Sequence, residues 1–315
     1  MKILVTPTSL KPDKNSSALE RLGSFCGDLV FNPTEKPLSS EELLPLLRDC
    51  DGYLAGLDQV TGPVLKSCPQ LRAISRYGAG YDRVDLQAAR ELGIKVSNTP
   101  GANAQAVAEL SFALLLALAR KIPCLHNETA SGNWVRSTGT QLYHKTLGIV
   151  GLGAIGRKVA FCSSGFSMKV LAYDPYISKR YCTEHGIIPT DLDTLLSKAD
   201  FITLHLPLND GTYHLINDKS IALMKPGTIL VNASRGGIID EEAACQALTD
   251  GRLGGLGLDA FEHEPPGQNP LFTLQNVIAT PHTGAHTHEA AEAMADMAVD
   301  NLIMMLNGEN CPFLL

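Results

Sequence analysis

Three ionisable side chains in the last third of the chain each follow a short apolar run. Arg235 lies in Asn232-Ala233-Ser234-Arg235-Gly236-Gly237, after the run Thr228–Val231. Glu264 lies in Leu258-Asp259-Ala260-Phe261-Glu262-His263-Glu264-Pro265, and His282 in Thr280-Pro281-His282-Thr283-Gly284. A guanidinium at a strand's C-terminal end can grip a carboxylate with two parallel hydrogen bonds and polarise a neighbouring carbonyl. An imidazole can take the proton of a hydroxyl while a hydride leaves the same carbon, and a nearby carboxylate would fix its tautomer and favour its charged form. Pro265 restricts the backbone of Glu264 and so the direction of its side chain. Taken singly, these residues read as a turn arginine, a solvated glutamate and a structural histidine. At three successive strand ends of one sheet they read as a site. His282, His286 and His288, with Glu289 beside them, are spaced four and then two apart, which does not put them on one helical face, so no metal site is expected.

The elements that would position these groups begin at Lys145. The segment KTLGIVGLGAIGRKVAFCSSGFSMKVLAYDP runs from an apolar strand into Gly151-Leu152-Gly153-Ala154-Ile155-Gly156, a helical stretch, a second strand and Asp174. Strand, glycine turn, helix, strand and terminal carboxylate all stand at the offsets of a dinucleotide-binding fingerprint. Gly151 permits the tight turn, Gly153 lets the backbone approach a pyrophosphate, and Gly156 lets the helix pack closely. The helix N-terminus offers N–H groups and partial positive charge to phosphate. Asp174 can accept hydrogen bonds from a ribose diol and would repel a 2′-phosphate, so NAD is expected over NADP.

Around this core, residues 1–99 read as alternating strands and helices, with strands at Lys2–Thr6, Asp28–Phe31, Tyr53–Ala55, Ala73–Ser75 and Lys95–Ser97. None of them opens onto a glycine fingerprint. Pro100-Gly101 marks a boundary, and a long helix follows over Asn103–Lys121, closed by Pro123. The second series has six expected strands: Leu147–Val150, Val170–Tyr173, Phe201–Leu204, Ile229–Asn232, Gly257–Leu258 and Val277–Ala279. A last helix, His286–Asn307, carries apolar residues at 290, 294, 297, 298, 302 and 305 and stops at Gly308. It is expected to return to the first half. The α/β reading is therefore two doubly wound parallel sheets, with residues 1–99 and 286–315 forming a substrate domain, residues 100–285 an NAD domain, and a cleft between them.

Bulk properties narrow the function classes. With 315 residues, 44% of them hydrophobic, the chain can fill two cores. A net charge of −7 and a single Trp, with no basic run, argue against a nucleic-acid partner. The eight cysteines are scattered without a CxxC pair, which suits reduced thiols. The N-terminus lacks a signal-peptide core, and the longest uncharged helical stretch, Leu110–Ala119, is too short to span a bilayer. A cytoplasmic protein is expected.

In combination, Gly151–Gly156 with Asp174, His205-Leu206-Pro207-Leu208 with Thr212, Asn232–Gly236, Asp259 through Pro265, and Pro281-His282 make the chain resemble the D-isomer-specific 2-hydroxyacid dehydrogenases, over nearly its whole length. The resemblance implies a Rossmann-type nucleotide domain plus a flavodoxin-like substrate domain. It implies that Arg235 binds the substrate carboxylate and keto oxygen, that His282 is the acid/base and that Glu264 orients it. Asp259 would hold the nicotinamide carboxamide, and the Ala154 and Ile155 amides would meet the pyrophosphate. Pro207 and Thr212 would line the adenosine side, with Ala233 also at the cofactor. In the first domain, Arg76-Tyr77-Gly78-Ala79-Gly80 is similar to the loop whose amides hold the substrate carboxylate. The stretches Ser75–Asp82 and Asn98–Asn103 are similar to the phosphoglycerate dehydrogenase branch, so Arg76 is expected to favour an anionic distal group, as in 3-phosphohydroxypyruvate. Relatives are commonly homodimers joined through the long helix and the arm containing Gly132-Asn133-Trp134. With no regulatory domain expected after Leu315, serine feedback is not anticipated. Two rival readings are a hydroxypyruvate or glyoxylate reductase and, from another class, an NAD(H)-sensing binding protein on the same fold.

Overall fold

The computed structural model describes residues 1–11 and 16–315. These fall into two compact units, Met1–Asn103 with His286–Leu315, and Ala104–Ala285. In the first unit the strands are β1 (Lys2–Val5), β2 (Asp28–Phe31), β3 (Gly52–Ala55), β4 (Ala73–Arg76) and β5 (Lys95–Ser97), all parallel, in the order β2-β1-β3-β4-β5. That is the flavodoxin-like order. Strand β3 is buried along its whole length, which is why it reads as a continuous apolar run rather than an alternating one, and β4 is equally buried although it ends in Ser75 and Arg76. Helices start where local chemistry caps them. Ser39 and Glu42 form a reciprocal capping box before Ser40–Leu47, and the Ser16 side chain accepts from Leu19 N–H at Ser17–Cys26. The last helix runs His288–Asn307, two residues later than its apolar pattern suggests, because Thr287 caps it by accepting from Ala290 N–H; it ends at Gly308, φ 78°. Gly52 of β3 gives room for Leu306 and Leu302 of this helix.

The second unit holds β6 (Thr146–Val150), β7 (Lys169–Tyr173), β8 (Ile188–Pro189), β9 (Phe201–Leu204), β10 (Thr228–Asn232), β11 (Leu253–Leu258) and β12 (Val277–Ala279). Their order is β12-β11-β10-β9-β6-β7-β8, every pair parallel. This is the Rossmann order, carried one strand further on the β12 edge. Its switch point lies between β6 and β9, where chain connections leave in opposite directions and ligands of open sheets bind.

Three local readings of the sequence need correction. The sheet has seven strands, not six: β8 is a two-residue edge strand in which Pro189 is tolerated because an edge needs no further donor. Strand β11 begins at Leu253, before the expected Gly257, because its glycines serve packing. A Cβ at Gly257 would lie 3.1 Å from Leu114 Cβ, and one at Gly255 3.2 Å from Leu118 Cδ2. The helix Ala104–Ala119 thus presses directly on the strand. That helix is also not closed by Pro123. The break comes at Lys121, φ 56°, and Pro123 sits in the first turn of a new helix, Ile122–Ala130, where its missing N–H costs nothing. No helix of the described residues is long and apolar enough to cross a membrane.

Candidate active site

The glycine turn follows β6 at the switch point. Gly151 has φ 99°, left-handed and favourable for glycine, and a Cβ there would run into the His205 carbonyl. At Gly153, which caps the helix Ala154–Ser163, a Cβ would meet nothing within 4 Å, so the backbone lies open on that side. A Cβ at Gly156 would collide with the Gly151 carbonyl oxygen, so this glycine folds the helix onto its own turn. Asp174 follows β7. One carboxylate oxygen accepts from Leu152 N–H at 2.8 Å, and the other from Tyr176 N–H at 2.7 Å. The open glycine edge, the first-turn amides and a carboxylate at the next strand end are a donor and acceptor set that fits a dinucleotide. Ala154 and Ile155 would hold its pyrophosphate and Asp174 its ribose diol.

Pro207 and Thr212 belong to the loop after β9. Thr212 Oγ1 donates to the Pro207 carbonyl at 2.6 Å and accepts from Asn209 N–H at 2.8 Å, closing the loop on itself. His205 opens this loop. One ring nitrogen meets Thr203 Oγ1 at 2.9 Å, whereas Nδ1 is buried without a partner. Burial pushes this imidazole down to about 3, so it is neutral.

Arg235 leaves β10 through a turn built by Asn232. The fully buried Asn232 amide donates to the Arg235 carbonyl at 2.8 Å, and its oxygen accepts from Ser234 N–H and Ser234 Oγ. Ala233 stands between these two residues, half-buried. Arg235 Nη1 donates to the Ser234 carbonyl at 2.8 Å. Gly236 lies flat on the Phe261–Glu262 peptide, where any Cβ would overlap the Phe261 carbonyl.

Glu264 and His282, 18 residues apart, meet. His282 Nδ1 and Glu264 Oε1 are 2.8 Å apart, with side chains 30% and 20% exposed. A carboxylate only accepts, so Nδ1 carries the proton and Nε2 is left for chemistry. Glu264 Oε1 also accepts from Phe261 N–H at 3.3 Å. His282 has φ 50°, a left-handed conformation that is strained by about 1–3 kcal/mol for a residue with a Cβ. Asp259 holds the turn in this state. Its oxygens accept from Thr280 Oγ1, Thr283 N–H and Gly284 N–H, each at 2.7 Å, and it is 2% exposed. The contacts of Asp259 are therefore with the turn that carries His282, an arrangement the sequence reading missed.

In the other unit, the loop after β4 carries Tyr77 through Gly80. Gly78, φ 136°, donates to Thr99 Oγ1 at 3.0 Å, and the Ala79 carbonyl accepts from Asn98 Nδ2 at 2.7 Å. Tyr77 is buried, its hydroxyl donating to the Ala291 carbonyl at 3.0 Å and accepting from Ser9 Oγ. Arg76 closes β4. Its side chain is buried, the residue only 6% exposed, and the guanidinium donates to the carbonyls of Ala55 and Tyr77 and lies against Gly78. These contacts shape the loop backbone. Among the described residues no group of three or more His, Cys, Asp or Glu could hold a metal ion.

Comparison with known proteins identifies the family and the fold. Residues 112–284 match the family model "D-isomer specific 2-hydroxyacid dehydrogenase, NAD binding domain". The chain is 44% identical over 276 residues to a D-3-phosphoglycerate dehydrogenase of Methanocaldococcus jannaschii, covering 86% of this chain and 53% of that one. It is 42% identical over 280 residues to a glyoxylate reductase of Thermococcus litoralis, covering 86% and 85%. Its length thus corresponds to about half of the first relative and most of the second. Among solved structures, a D-lactate dehydrogenase from Aquifex aeolicus complexed with NAD and lactic acid superposes with a TM-score of 0.86 at 28% identity, over 98% of this chain and 96% of that one.

Proposed function

The chain belongs to the D-isomer specific 2-hydroxyacid dehydrogenase family, a family of NAD-dependent oxidoreductases, and we propose that it interconverts a small D-2-hydroxyacid and its 2-oxoacid. The observation that carries this reading is the 2.8 Å His282–Glu264 contact, with Arg235, Glu264 and His282 following three adjacent strands, β10, β11 and β12, of a sheet whose switch point has a dinucleotide turn. Bound NAD supplies the hydride acceptor in one direction and, reduced, the donor in the other. Arg235 binds the substrate carboxylate and draws electron density from the keto oxygen. His282 gives a proton from Nε2 to that oxygen during reduction and takes it back during oxidation. Glu264 keeps Nδ1–H pointed at itself and stabilises the imidazolium before transfer.

For the substrate, the reading favours a small unphosphorylated 2-oxoacid such as glyoxylate or hydroxypyruvate, because the Arg76 guanidinium is engaged with backbone carbonyls. The second reading, 3-phosphohydroxypyruvate, is supported by the loop's sequence and by the M. jannaschii relative. A panel of glyoxylate, hydroxypyruvate, pyruvate and 3-phosphohydroxypyruvate, each with NADH and with NADPH, decides between them. The expected result is the highest kcat/KM for an unphosphorylated acid with NADH. A phosphorylated substrate preferred tenfold or more, with Arg76→Ala selectively abolishing that preference, would favour the second reading. Tight NADH binding without turnover across the panel would favour an NAD(H) sensor instead. We further propose a homodimer, with Trp134, 82% exposed, and the exposed Val135 in its interface; sedimentation tests it.

A further inference from the structure

Behind Arg235 and Glu264, three loops meet at a single carboxylate oxygen. The first is the loop after β9, which ends in a parallel rung with the second, Ile216 opposite Ile239. Along this rung His214 N–H donates to the Gly237 carbonyl at 2.8 Å, and Asp240 N–H to the Ile216 carbonyl at 2.8 Å. The second loop carries Arg235 and ends at Glu241. The third carries Glu262 and Glu264. Glu262 N–H donates to Glu241 Oε1 at 2.8 Å while Glu241 N–H donates to Glu262 Oε1 at 2.9 Å, a reciprocal clasp. Asn269 Nδ2 holds the other oxygen of Glu241 at 2.7 Å. His214 Nε2 reaches the same Glu262 Oε1 at 3.1 Å. Its ring is stacked on Tyr213, with centroids 4.0 Å apart and planes 13° apart, and Nδ1 is 3.8 Å from Asp240. His214 has φ 48°, so its backbone favours this placement only while the surrounding bonds hold it.

We propose that His214 and Glu262 are positioning residues. The imidazole N–H on Glu262 Oε1 fixes the spacing of the Arg235 loop from the Glu264 loop, and thereby of the guanidinium from the His282–Glu264 pair. The clasp has little tolerance, since Gly236 already lies against the Phe261–Glu262 peptide. A small displacement at Glu262, two residues before Glu264, is transmitted to the acid/base pair rather than absorbed.

The proposal rests on the oxidoreductase reading, and its test separates the two. Full-length His214→Phe, His214→Gln, Glu262→Ala and Glu262→Gln are compared with the parent for turnover of glyoxylate or hydroxypyruvate with NADH, for NADH affinity by fluorescence, and for backbone deuterium uptake. His214→Phe and Glu262→Ala lower kcat/KM tenfold or more, chiefly through kcat, with NADH affinity within twofold. The Gln variants, which keep a donor at 214 and an acceptor at 262, recover to within threefold of the parent. Peptides containing Glu241 and Glu262 exchange faster in the Phe and Ala variants than in the Gln variants. That last measurement needs no turnover, so it reports on the clasp even if the parent reduces neither acid. Unchanged exchange in His214→Phe, parental kcat/KM in that variant, or equal losses in the Phe and Gln variants would overturn the proposal. So would loss of NADH binding in all four.

Discussion

The buried imidazole of His205 makes the stability of the Ala104–Ala285 unit depend on pH in a way that can be isolated. In the folded chain this side chain titrates at about 3, depressed by burial, against about 6.5 when exposed in an unfolded chain. Below pH 6.5 the unfolded state takes up a proton that the folded state refuses. Stability is therefore fully present above the unfolded value and lost as pH falls from about 6.5 towards 3. The difference amounts to about 2 kcal/mol at pH 5, from roughly 1.5 pH units at about 1.4 kcal/mol per unit. For a unit of this size that corresponds to roughly 4–8 °C in Tm. The perturbation is His205→Gln, which removes the titration and can still meet Thr203 Oγ1. Thermal unfolding of parent and variant is followed by circular dichroism at pH 7.5, 6.0 and 5.0. The parent should lose about 5 °C more than the variant between the first and last conditions. Comparing slopes cancels any baseline change from the substitution, including relief of the unpartnered Nδ1. Identical pH dependence in the two proteins would refute the reasoning.

Three further outcomes follow from the geometry. His282→Ala should lower turnover by at least about a hundredfold, within the usual range for a general acid/base, while NADH affinity stays within about twofold; full activity would remove His282 from the chemistry. Asp174→Ser should weaken NADH binding, because the ribose acceptor and the brace on Leu152 N–H go together, and should narrow the preference over NADPH, measured as the ratio of kcat/KM values. Gly236→Ala should destabilise the fold by about 1–3 kcal/mol or more in denaturant unfolding, since its Cβ would overlap the Phe261 carbonyl and one backbone must shift.

Much of the architecture was legible because it is written locally. Buried parallel strands are short apolar runs, the glycine turn has fixed offsets, and Gly308 stops a helix wherever it stands. The errors lie where a residue answers to a distant neighbour. The glycines of β11 look like strand breakers until Leu114 and Leu118 of the packed helix account for them. Pro123 looks like a stop, yet Lys121 has already ended the first helix and the proline can open the next.

The candidate site divides along the same line. The sequence by itself determined that Arg235, Glu264 and His282 come at strand ends, because a polar residue after an apolar run is a local signal, and that the nucleotide turn lies at Gly151–Gly156. Tertiary structure decided which of them touch. Glu264 and His282 are 18 residues apart, and Glu262 and His214 are 48 apart, so no periodicity could pair them. It also decided that the Asp259 carboxylate braces the His282 turn and that the Arg76 guanidinium bonds its own loop. A side chain's hydrogen-bond partners depend on what the fold brings within 3 Å, and spacing along the chain carries no record of that.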